Sequence, residues 1–181
     1  MARTNSFSVV SNIGLLSAVG DCPSNQRDAG RINSLASLET VRSYLTEENG
    51  LAVVSTVQAD GAVPSTVVNC GVVDHPITKE PCVAFVSGGN AACLKHIRRG
   101  SSITVAIRRS WNWVAVTGDS ELVGPNDNEL GLSSDNVRVL LRDIFMAAGG
   151  THDDWDAYDQ TMLDEARTAV LITPTRLRSN V

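Results

Sequence analysis

The sequence predicts a mainly β protein, a small antiparallel β-barrel with helices at its flanks. Three observations carry that expectation. Short apolar runs recur from residue 51 to residue 122, and the connections between them suit antiparallel pairing rather than parallel crossovers. Asp60-Gly61 stands between two such runs and is a strong hairpin signal. Helical periodicity is confined to a segment before the first run, one short interruption among the runs, and residues 137–162, ahead of a closing apolar run.

Taken in order, residues 1–33 are rich in Ser, Asn and Arg with little periodicity, and read as an N-terminal arm; residues 34–181 form the folded domain. Leu35, Leu38, Val41 and Leu45 make one helical stripe, closed by Asn49-Gly50. Leu51 to Val57 is the first strand and Ala62 to Val73 the second, with Pro64 placing the start of the second at an edge or bulge. A loop with two prolines leads to the third strand, Cys82 to Val86. Asn90 is a candidate cap for a short helix ending at Gly100. Ile103 to Ile107 is the fourth strand; the fifth begins at Trp113 and is broken by Gly124-Pro125. Val137, Leu140, Leu141, Ile144 and Phe145 mark an amphipathic helix stopped by Gly149-Gly150. Thr151 with Asp154 fits a capping box for a further helix bearing Trp155, Tyr158 and Met162 on one face. Ala169 to Thr173 is the closing strand.

A length of 181 residues fits one main domain, and 4% aromatic content predicts an aliphatic core. The formal net charge of −5 argues against nucleic-acid binding. The four cysteines show no CxxC, which points to reduced thiols and a cytoplasmic protein. No apolar run has the length of a membrane span, and Ser11, Asn12 and Ser17 interrupt the weak patch near the N-terminus, so neither a membrane anchor nor a signal peptide is expected.

The most informative stretch is Phe85 to Gly118. Between Pro81 and Gly118 the chain has five Lys or Arg and no Asp or Glu, in an otherwise acidic protein. Ser87-Gly88-Gly89-Asn90 leads into a helix carrying Lys95, Arg98 and Arg99, a combination suited to an anion, because a helix start offers free N–H groups and glycines admit a ligand to the backbone. Arg108 and Arg109 are adjacent on a strand, so at most one reaches a common groove. Trp111 and Trp113 share a face if extended, and offer a flat apolar wall. On the second strand Ser65 and Asn69 share one face, and Thr66 and Val68 the other. Cys93 and His96 have helical spacing but no second ligand pair, so no metal site is expected. The chain has no GxSxG, HExxH, GxxxxGK[ST] or GxGxxG, and no catalytic side chain is assigned.

The hairpin at 51–68, the run Val83 to Gly88, the basic helix, Ile103 to Arg109 and the segment 113–125 follow one another as in the pyridoxamine 5′-phosphate oxidase-like split β-barrels, which the sequence resembles over residues 34–175. The segments 147–159 and 169–174 resemble one branch, the oxidoreductases that use the deazaflavin coenzyme F420. The resemblance implies a six-stranded split barrel, a homodimer with the cofactor in a groove between subunits, and hydride transfer between F420 and a conjugated small organic substrate. FMN is the alternative cofactor, and a ligand-binding protein without turnover is an alternative function. It further implies a cofactor site built from Ser65, Thr66 and Asn69 on the second strand, the Ser87-Gly88-Gly89-Asn90 loop, and Cys93, Lys95, Arg99 and Trp113. The sequence departs from the family at one point: Cys93 stands where relatives carry a phosphate-gripping Lys, and Lys95 lies two residues on. Residues two apart do not share a helix face.

Overall fold

The computed structural model describes residues 37–180. The expected N-terminal arm, residues 1–33, lies outside them. In chain order the elements are α1 (Leu38–Glu47), β1 (Leu51–Thr56), β2 (Ser65–Asp74), β3 (Pro81–Ser87), α2 (Ala92–Ile97), β4 (Ile103–Arg109), β5 (Asn112–Gly124), β6 (Asp127–Asn128), α3 (Ser134–Ala147), α4 (Trp155–Asp164) and β7 (Thr168–Ser179). Six strands in the order β4-β1-β2-β3-β7-β5 close into an antiparallel barrel through the β4–β5 ladder, and β6 pairs only with the end of β5. Among the described residues, no helix is long and apolar enough to cross a membrane.

Strand alternation turns one face inward, where Val54, Phe85, Val105, Val116, Val170 and Ile172 pack in an almost wholly aliphatic cluster. The apolar stripe of α1 (Val41, Tyr44, Leu45) and the buried face of α2 (Leu94, Ile97) join that cluster and cover the barrel interior. On the outer surface α3 lies over β2, β3 and β7, burying Leu140, Leu141 and Ile144 against Cys82, Ala84 and Leu171. Gly71 permits this approach: a Cβ there would stand 2.5 Å from the Cβ of Ala147.

Four expectations are corrected. The closing strand does not stop at Thr173. It continues past Pro174, and a bulge opposite Thr117 and Gly118 absorbs the extra residue Thr175. Gly124-Pro125 ends β5 but also turns it back into β6, with Gly124 opposite Asp127. Asp154, not Thr151, caps α4, accepting from the N–H groups of Asp156 and Ala157. Asn90 does not cap α2; the N-cap is Ala91, with no side-chain hydrogen bond.

Candidate functional site

The barrel is open along one seam. The β2–β3 ladder runs from Asp74 opposite Pro81 only as far as Cys70 opposite Phe85. The β1–β2 ladder covers the rest of β2, from Leu51 opposite Asn69 to Ser55 opposite Ser65. Residues 65–69 are therefore in a ladder on one edge only, and where their other neighbour would lie, β3 ends at Ser87 and the chain turns into α2. Such an edge presents backbone N–H and C=O groups to whatever enters the gap. Ser65, Thr66 and Asn69 lie on this half-paired stretch of β2, and Ser87, Gly88 and Gly89 lie where β3 ends. Ser65 and Asn69 face outward with Val53, as their register dictates, while Thr66 pairs with inward-facing Val54. Ser65 Oγ bonds Ser55 Oγ at 2.7 Å, and Asn69 Nδ2 donates to the Asn49 carbonyl at 3.0 Å.

On its outer side the seam widens into a cleft of about 530 Å³. Val68, Asn69 and Val86 form its floor, and Phe145, Tyr158, Met162 and Arg167 its far wall. That wall is an aromatic corner where α3 turns into α4. The rings of Phe145, His152, Trp155 and Tyr158 lie 4.9 to 6.5 Å apart, mostly edge to face. Tyr158 donates its hydroxyl hydrogen to the Leu141 carbonyl at 3.2 Å, and burial pushes its pKa up. Arg142 clamps the corner from behind, donating from Nε to Asp159 at 2.8 Å and lying over the Trp155 ring. Helical periodicity puts Trp155, Tyr158 and Met162 on a common face but holds no reason to bring them to the β2 edge; Arg167 carries no signal at all.

The glycine loop and its cations behave differently from the expected anion cradle. Gly89 donates its N–H to the Glu165 carbonyl at 3.3 Å, and a Cβ on it would stand 2.5 Å from the Ala166 carbonyl oxygen. That glycine serves the close approach of the α4–β7 turn. Gly88 is open, since an added Cβ meets nothing within 4 Å. The cations of α2 diverge. Arg98 is held by Asp127 through Nε at 2.8 Å and Nη2 at 2.6 Å. Arg99 lines a shallow hollow with Val57, Gln58 and Ala59 at the β1–β2 hairpin, and Lys95 is exposed. Cys93 turns inward, 9% exposed, with its Sγ 3.6 Å from Ser87 Oγ.

Comparison with known proteins bears on the fold. No protein-family profile and no curated protein sequence matches the chain. Solved structures do. A conserved hypothetical protein of Mycobacterium tuberculosis matches with a TM-score of 0.59 at 14% identity, over 82% of this chain and 87% of that one. A pyridoxamine 5′-phosphate oxidase-related, FMN-binding protein of Nostoc punctiforme matches with a TM-score of 0.52 at 13% identity, over 81% and 85% of the two chains. The fold is a split β-barrel of the pyridoxamine 5′-phosphate oxidase type. A heme-binding protein of Mycobacterium smegmatis is also similar, with a TM-score of 0.52 at 12% identity, over 79% of this chain and 53% of that one.

The split barrel carries a second feature, an apolar outer wall that meets the cleft at the Leu51–Asn69 pair. Leu51, Val53 and Val67 are exposed there, Val67 to 63%, beside Trp113 and Arg108, which are cross-strand partners. Together these residues line a groove of about 280 Å³. Arg109 points the other way, bonding Glu47 at 2.6 Å and lying 4.4 Å over the Tyr44 ring. So one of the two arginines reaches the groove, as alternation requires. The tryptophans do not share a face. Trp111 lies outside β5, at the hairpin tip, 91% exposed. Asn180 pins that tip, accepting from the Trp113 N–H and donating to the Trp111 carbonyl, both at 2.8 Å.

Proposed function

We propose that this protein is a homodimeric oxidoreductase that binds coenzyme F420 along the open edge of β2 and transfers hydride between it and a conjugated small molecule. The observation that carries the reading is the half-paired stretch 65–69 opening onto an aromatic-walled cleft. The residues present fit the ring end of such a cofactor. The backbone N–H and C=O of Val67 point into the seam and offer a donor and an acceptor to the polar edge of a deazaflavin, and Val68 and Val86 supply apolar surface that excludes water. At the phosphate end, open space at Gly88 leaves room beside the Ser87 hydroxyl, with Lys95 as an exposed cation of α2.

The bound coenzyme would supply the hydride chemistry, and the chain would bind, orient and exclude solvent. Tyr158 is not the proton source, because its hydroxyl is committed to Leu141 and its pKa is raised. The apolar wall of Leu51, Val53, Val67 and Trp113 would be covered by a second copy, which would complete the groove.

FMN is the second reading, favoured by the FMN-binding neighbour of the same fold. Titrating the purified protein with F420 and with FMN, and following quenching of cofactor fluorescence, separates them. Saturable F420 binding without FMN binding supports the proposal; FMN alone supports the second reading; binding of neither overturns both.

A further inference from the structure

We propose that the cleft at the aromatic corner binds a planar aromatic carboxylate, its ring against Phe145 and Met162 and its carboxylate on Arg167. The lining is apolar and amide-bearing except for one charged group, Arg167. Its present partner is the half-exposed carboxylate of Glu165, a ligand group that another carboxylate can exchange for and that a cation or a neutral ring cannot replace. A phosphate monoester needs more positive charge than one arginine gives, whereas a single planar guanidinium matches a carboxylate in a two-bond fork.

Arg167 is also placed to do this. Its backbone N–H donates to the Met162 carbonyl at 2.8 Å, which fixes the root of the side chain at the cleft wall. Its Nε and Nη2 both point to one oxygen of Glu165, at 2.7 and 2.6 Å, leaving Nη1 for a ligand. Glu165 itself is half exposed, so this ion pair is a weak one that an incoming carboxylate can replace. A volume of about 530 Å³ accommodates two or three fused rings. The inference rests on the redox reading only in taking this ligand to be the substrate; the binding site itself is independent of it.

The test uses the full chain without any cofactor, and three probes that share one ring system: 2-naphthoate, 2-naphthamide and 2-naphthyl phosphate. Affinities come from calorimetry, and methyl-labelled Met162 reports the location by NMR. The expected result is naphthoate binding at least about tenfold tighter than naphthamide, with the Met162 methyl signal shifted. Arg167→Gln should remove that preference and leave naphthamide unchanged, and Glu165→Gln should tighten naphthoate. Equal binding of acid and amide, tighter binding of the phosphate, an unshifted Met162 signal, or naphthoate binding that survives Arg167→Gln would each overturn it. Circular dichroism melting of the Arg167→Gln protein, matched to the parent, shows that the loss is not unfolding. Naphthoate binding in a protein that takes neither F420 nor FMN leaves this site standing while the redox reading falls.

Discussion

Replacing Gly89 with Ala tests what the glycine loop is for. A Cβ on Gly89 would lie 2.5 Å from the carbonyl oxygen of Ala166 and 2.8 Å from its Cβ, closer than side-chain atoms settle. The turn it meets cannot yield easily. Ala166 is held at φ +47, with its N–H on Leu163 at 3.0 Å and the next N–H on Met162 at 2.8 Å. Overpacking of this kind costs about 1–3 kcal/mol. The neighbouring Gly88→Ala substitution places its methyl in open space, so its stability should stay within about 0.5 kcal/mol of the parent. Urea unfolding of the two variants reads the difference as a lowered midpoint for Gly89→Ala at unchanged slope. Under the proposed function Gly88→Ala has the complementary phenotype, near-normal stability with weakened cofactor binding, because its methyl takes up room beside Ser87. A Gly89→Ala protein as stable as the parent would refute the packing role assigned to that glycine.

Val67→Glu on the outer wall should shift the elution volume in size-exclusion chromatography from dimer to monomer, because it buries an unpaired charge if a second copy covers Val67. Gly71→Val should cost about 1–3 kcal/mol by pushing α3 away from β2, measured by urea unfolding. The Asp159 carboxyl is held below its usual pKa, first by its hydrogen bond from Arg142 and also by the charges of Arg142 and Arg138. A depressed carboxylate pKa adds stability above the unfolded value of about 3.9 that is lost as pH falls through the folded value, so Asp159→Asn should flatten the acid limb of the stability curve. The Cys70 thiol, pushed up to about 12 by burial, should resist a thiol reagent at pH 8 until the protein unfolds.

The strands were legible because their cause is local. Alternation across Leu51 to Thr56, Ile103 to Ile107 and Trp113 to Thr117 survives in the barrel, and Asp60-Gly61 turns the chain where it should. The misread boundaries depended on partners far along the chain. Pro174 reads as a stop until pairing with Thr117 and Gly118 on another strand, with a bulge at Thr175, carries the ladder past it. The cations of α2 are neighbours in sequence, but successive helix residues turn by about 100°, and Asp127 claims Arg98. The cleft was hidden for the same reason. Val68, Val86, Phe145, Tyr158 and Arg167 come from five segments, and only the docking of α3 over Gly71 brings the aromatic corner to the β2 edge. The faces of Ser65, Thr66 and Asn69 followed from period two, whereas the missing ladder beside them could not be read without the register of β3.

Hydrogen exchange across β2 tests the central claim most directly. In the free protein the amides of residues 66–68 that point into the seam should exchange faster than those of residues 53–55, which lie between two ladders. Saturating F420 should slow residues 66–68 and the Ser87–Gly88 segment, and leave the hairpin tip around Trp111 unchanged. Bound F420 that leaves residues 66–68 exchanging at their free rate would contradict the assignment of the open β2 edge as the cofactor site.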